Sequence, residues 1–91
     1  FMEAMQDAAK ELGLSEELAK QLVYQTASGA ADLAIQTKDT IAELRRKVTS
    51  PGGTTERAIN TFEAGEIRKL VNSALVDAKK RSIELSKEMK S

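Results

Sequence analysis

Val48-Thr49-Ser50-Pro51-Gly52-Gly53-Thr54-Thr55 is the one real break in a chain that otherwise reads as helix. Pro51 fixes φ and removes a backbone donor. Gly52 and Gly53 open backbone angles closed to other residues and let a ligand come near the main chain. Thr54 or Thr55 is the expected N-cap of the helix that follows. Its inward face is expected to be Ala58, Ile59 and Phe62, and Gly65 its stop.

Before the break, Phe1, Met5, Ala8, Ala9 and Leu12 recur at helical spacing, so residues 1–12 are expected to be a helix. Gly13 is its natural stop, because glycine takes positive φ without steric cost. No capping residue precedes Phe1, so the chain is expected to open inside a helix of a longer protein. Ser15 is a good N-cap for a second helix reaching about Gln36, with Glu16 and Glu17 where the helix dipole favours anions. Its apolar ladder is Leu18, Leu22, Thr26, Ala30 and Leu33, beside Ala19, Val23, Ala27, Ala31 and Ala34. Gly29 inside it costs roughly 1 kcal/mol against Ala, and close packing of a neighbouring helix is the expected compensation. Thr40-Ile41-Ala42-Glu43 fits a capping box that opens a short third helix, with Ile41, Leu44 and Val48 as its apolar face. After the break and the fourth helix, a last helix is expected from about Glu66 to Met89. It carries Ile67, Leu70, Val71, Ala74, Leu75, Ala78, Leu85 and Met89 at heptad-like spacing and ends in a solvated charged run.

The fold class is therefore all-α, a five-helix bundle, with no segment reading as a strand. The chain has 91 residues but only two Phe, one Tyr and no Trp to fill a core. A domain of this size buries only about 60% of its unfolded surface. The wide small-residue stripe of the second helix and the truncated first helix are more easily buried against another copy, so an intertwined homodimer is expected rather than a self-contained monomer, an expectation that leans partly on the family resemblance given below.

Composition excludes several functions. There is no Cys and no His, which removes the usual nucleophile–base pairs and zinc ligand sets. An all-carboxylate metal site would need a cluster of Asp and Glu, and no such motif is present. Fourteen basic and 14 acidic residues balance to zero net charge, which argues against nucleic acid as a partner. No apolar run approaches the roughly 18 residues of a membrane span. The absence of Cys fits a reducing compartment, and the expected location is the cytoplasm.

The break is the one place where chemistry is expected. The amides of Gly53, Thr54, Thr55 and Glu56 would lie at a helix N-terminus without internal partners, with the Ser50, Thr54 and Thr55 hydroxyls alongside, a setting that suits a carboxylate or phosphate. A plain Pro-Gly-Gly turn with a threonine cap fits the same residues. Tyr24 reads as a packing or surface feature, and Arg45 and Arg46 as a solvated face.

Glu43-Leu44-Arg45, two spacers and then Val48 through Thr55 resemble a signature of the pyrroline-5-carboxylate reductases. Gln25-Thr26, Gly29-Ala30-Ala31 and Leu33 are similar to that family's long dimer helix. Phe62-Glu63, Gly65 and Arg68 are similar to its turn region, and Arg81-Ser82 and Glu84-Leu85 to its closing helix. The resemblance implies that residues 1–91 are one helical dimerisation and substrate-binding domain, a piece of a longer chain. Its enzymes reduce 1-pyrroline-5-carboxylate to L-proline with NADPH or NADH held by an N-terminal Rossmann domain. That domain is missing here, there is no Gly-x-Gly-x-x-Gly, and this piece alone is expected to bind no cofactor and to be inactive. The resemblance further implies that Ser50, Gly53 and Thr54 bind the substrate carboxylate and that the Thr55 hydroxyl bonds the ring nitrogen. The departures are the absent Ser-Gly-Pro-Ala-like turn before Phe1 and the absent nucleotide-binding domain, and Glu56-Arg57 is also more polar than expected after the loop. A free-standing helical interaction module, or a reductase of another imine or keto acid, are the alternative readings.

Overall fold

The computed structural model describes residues 1–90, and among them every regular element is a helix. These are α1 (Met2–Glu11), α2 (Glu16–Gln36), α3 (Ile41–Lys47), α4 (Thr54–Ala64) and α5 (Ile67–Lys90). The all-α expectation holds. The chain divides into two units, Phe1–Arg46 and Lys47–Ser91.

In the first unit α1 packs on α2. The corner between them closes as a Schellman motif. Gly13 N–H donates to the Lys10 carbonyl at 3.0 Å and Leu14 N–H to the Ala9 carbonyl at 3.1 Å, with Gly13 at φ +107°. The Ser15 hydroxyl then caps α2 by accepting from Leu18 N–H at 3.2 Å. Thr40 opens α3 by accepting from Glu43 N–H at 3.1 Å. The return half of the expected capping box takes another form: the Glu43 carboxylate accepts from the Thr40 hydroxyl at 3.1 Å.

The buried hydrophobic residues are Ala9, Ala19 and Val23. The apolar stripe of α2 is thus split. Its Ala19–Val23 edge is covered, while Leu18, Leu22 and Leu33 are exposed. Burying a side chain such as Leu stabilises by about 1.5–3 kcal/mol, so the larger part of the stripe's contribution is unused within one chain. A methyl group added at Gly29 would meet nothing within 4 Å, so no neighbour within the chain accounts for that glycine.

In the second unit α4 packs on α5. Ile59 is half-buried, whereas Ala58 and Phe62 are exposed, contrary to the inward face expected for all three. A single neighbouring helix covers a narrower stripe than the apolar residues of α4 mark out. On α5, Leu70, Val71, Leu75, Leu85 and Met89 are exposed. Exposed ion pairs lie at the surface of this unit, Arg68 with Glu63 at 2.9 Å and Arg81 with Glu84 at 2.9 Å.

Gly65 does end α4, but with φ −83°. The left-handed residue of this corner is Glu66, at φ +58°. A side chain there costs about 1–2 kcal/mol, partly offset by the lower flexibility of Glu than Gly in the unfolded chain. Glu66→Gly is expected to stabilise the protein by about 0.5–1 kcal/mol, read as a higher urea midpoint at unchanged slope; a lower midpoint would contradict the assigned strain.

Candidate functional site

The segment between α3 and α4 is built around one tight turn. Gly53 N–H donates to the Ser50 carbonyl at 2.9 Å, closing the four residues Ser50 to Gly53. Pro51 occupies the second position and Gly52, at φ +74°, the third. This is the signature of a type II turn, in which proline presets the first corner angle and glycine takes the positive φ of the second. Gly53 has φ −86° and ψ 177°, extended backbone open to any residue, but the space beside it is tight. A Cβ at Gly53 would lie 3.1 Å from the Ser50 carbonyl oxygen.

The helix begins one residue earlier than a threonine cap would place it. Gly53, not Thr54 or Thr55, is the N-cap of α4, and it has no side chain with which to cap. Thr54 and Thr55 are the first two helical residues. The hydroxyls therefore stand on the first turn of the helix rather than across its end. Expecting the Gly53 amide to be free needs the same correction, because the turn consumes it. Among the described residues, the N–H groups of Thr54, Thr55 and Glu56 donate to no internal acceptor, while Arg57 N–H starts the helical ladder on the Gly53 carbonyl at 3.2 Å.

All four residues picked from the sequence, Ser50, Gly53, Thr54 and Thr55, thus fall on one turn and the first turn of α4. Ser50, Thr54 and Thr55 are exposed and Gly53 is half-buried. A further residue joins them that the sequence reading passed over as merely polar. The Glu56 carboxylate Oε1 accepts from Gly52 N–H at 3.1 Å. Its signal was available: with Gly53 as cap, Glu56 is the third helical residue, the place from which a Glu side chain reaches back over the helix end.

Elsewhere, Tyr24 is an exposed surface residue with the Lys20 ammonium 5.8 Å from its ring centre. Arg45 and Arg46 are also exposed. Among the described residues no group of Asp and Glu is arranged to hold a metal ion, and no helix is long and apolar enough to cross a membrane.

A helical fold with one Pro-Gly-Gly turn feeding a helix of threonines can be compared with known proteins. A family model described as pyrroline-5-carboxylate reductase dimerisation matches residues 1–85. The chain belongs to this family. It is 51% identical over 89 residues to a pyrroline-5-carboxylate reductase of Pseudomonas aeruginosa, covering 98% of this chain and 33% of that protein. It is 35% identical over 88 residues to pyrroline-5-carboxylate reductase 2 of Bacillus subtilis, covering 97% and 32%. Among solved structures, a pyrroline-5-carboxylate reductase from Coxiella burnetii matches with a TM-score of 0.88 and 50% identity over 92% of this chain and 31% of that one. Pyrroline carboxylate reductase from Plasmodium falciparum, solved with NADP bound, matches with a TM-score of 0.79 and 32% identity, covering 81% and 28%. The chain spans about a third of the length of the curated relatives it matches.

The turn geometry makes a prediction independent of any ligand. Gly52→Ala places a side chain at φ +74° and is expected to destabilise the protein by about 1–2 kcal/mol. Chemical denaturation measures this, and an unchanged midpoint would show that the turn is not held as described.

Proposed function

We propose that residues 1–91 form the dimerisation domain of a pyrroline-5-carboxylate reductase, and that the Ser50–Thr55 turn holds the carboxylate of 1-pyrroline-5-carboxylate. The observation that carries this reading is the turn itself. It leaves the amides of Thr54, Thr55 and Glu56 unpaired at the start of α4, beside exposed hydroxyls. Unpaired amides and the positive end of a helix dipole favour an anion. The family to which the chain belongs supplies the anion's identity.

In this reading the Ser50 hydroxyl and the Thr54 amide donate to the carboxylate. Gly53 keeps side-chain atoms away from the same place. The Thr55 hydroxyl bonds the ring nitrogen, so that a substrate gripped at both points presents its C=N carbon in one orientation. Fixing a reactant in this way is worth several kcal/mol of barrier, up to roughly 7–11 in the best cases. The nicotinamide cofactor, NADPH or NADH, supplies the hydride. No strand lies among the described residues and the sequence holds no Gly-x-Gly-x-x-Gly, so these residues do not fit a dinucleotide. The proposal assigns the cofactor to an N-terminal Rossmann domain of the complete protein, in keeping with the third of the relatives' length that this chain matches. The domain alone is inactive in this account, and the complete enzyme works in the cytoplasm in proline synthesis.

The proposed partner of the helical domain is a second copy of itself, forming an intertwined homodimer. Support comes from the dimerisation family and from the apolar residues of α2 and α5 that one chain leaves exposed.

Thr55→Ala and Ser50→Ala in the complete protein test the site. Thr55→Ala is expected to lower kcat/KM for pyrroline-5-carboxylate by about tenfold or more, the loss of one hydrogen bond aligned with the reacting group, with a melting temperature close to the parent's. An unchanged kcat/KM would remove Thr55 from the site and favour a turn with no ligand.

A further inference from the structure

We propose that Glu56 is a positioning residue for this turn: by holding the Gly52 amide, its carboxylate keeps the Pro51–Gly52 corner fixed, so that the donors at the start of α4 meet the substrate already arranged. The inference rests on the reading of the turn as the substrate-carboxylate site and adds a residue to it.

A helix entry of this kind is normally tied down by a cap side chain. Here the cap is Gly53, which has none. Its N–H is committed across the turn to the Ser50 carbonyl at 2.9 Å. That leaves Gly52, a glycine held at φ +74°, to be secured by some other group. Glu56 supplies it. Its Oε1 accepts from Gly52 N–H at 3.1 Å, a bond that runs from the first turn of α4 back to the corner. Two bonds therefore clamp the turn, one across it and one from the helix. Glu56 is half-buried while Ser50, Thr54 and Thr55 are exposed. The arrangement separates a residue that sets the turn from residues open to a ligand.

A carboxylate is an odd choice beside an anion site if its charge is what matters, because like charges repel. The bond explains its presence better than the charge does. Holding a loop in its bound form lowers the ordering cost of binding, so losing the clamp should appear in substrate affinity rather than in the chemical step.

Three variants of the complete protein separate bond from charge, with KM and kcat measured for pyrroline-5-carboxylate. Glu56→Ala removes both. Glu56→Asp keeps the charge on the first helical turn but is one methylene too short to reach Gly52. Glu56→Gln removes the charge and keeps an oxygen that accepts from the amide. Ala and Asp are expected to raise KM about three- to tenfold, the worth of one hydrogen bond, with kcat within about twofold of the parent. Gln is expected to keep KM at or below the parent value. If the Ala variant fails to fold, the Asp and Gln pair decides alone. A parent-like KM in Glu56→Asp, or a KM in Glu56→Gln raised as much as in Glu56→Asp, would overturn the proposal. Thr55→Ala run alongside separates the two readings. If it lowers kcat/KM while Glu56→Asp leaves KM alone, only the role of Glu56 falls. If it leaves kcat/KM unchanged, the substrate site falls and the role of Glu56 with it.

Discussion

A helix turns one stripe toward its neighbour and the rest toward water, and α2 carries more apolar stripe than α1 covers. Ala19 and Val23 are buried, but Leu18 and Leu22, one residue away on the same helix, are half-exposed or more. Small residues from Ala27 to Ala31 continue the stripe where nothing within the chain approaches Gly29. The same is true of α5, whose Leu70, Val71 and Leu75 lie exposed in a row. Apolar area removed from water contributes roughly 25 cal/mol per Å², and a chain with so few large aromatic residues has little other means of stabilising itself. The family model that matches residues 1–85 is one of dimerisation, and these faces are the apolar area that one chain leaves to be covered.

The turn is rigid for reasons that can be separated. Proline sets one angle, Gly52 takes the angle that a side chain would resist, and Gly53 leaves room for the Ser50 carbonyl. Glu56 adds a bond from the helix side. None of these uses the amides of Thr54, Thr55 and Glu56, which open α4 without an internal acceptor. Under the proposed function, the cofactor does the electron transfer and this turn supplies position.

Much of this was legible in the residues. Gly13 with its left-handed backbone, Ser15 at its cap and the Thr40–Glu43 pair each carry local chemistry that decides a helix boundary, and all three stand where the sequence placed them. The turn was legible for the same reason: Pro-Gly-Gly has few conformations open to it. What was missed depended on register. Shifting the cap from Thr54 to Gly53 moves the hydroxyls onto the helix, consumes the Gly53 amide and brings Glu56 within reach of Gly52. Helix periodicity fixes a face but not its first residue, and threonine and glycine rank about equally as caps, so residue type alone does not choose between Gly53 and Thr54. Glu66 was missed because Gly65 beside it is the residue that normally takes positive φ. The inward face of α4 was overdrawn because periodicity marks which residues are apolar without saying how wide a stripe its neighbour covers.

The dependence of the fold on a second copy is tested most directly by sedimentation velocity on the 91-residue chain, with helicity followed by circular dichroism over the same concentrations. The account predicts a particle of two chains at micromolar concentration, with helicity lost as dilution separates them. A fully helical single chain that unfolds cooperatively, with a midpoint independent of concentration, would contradict it.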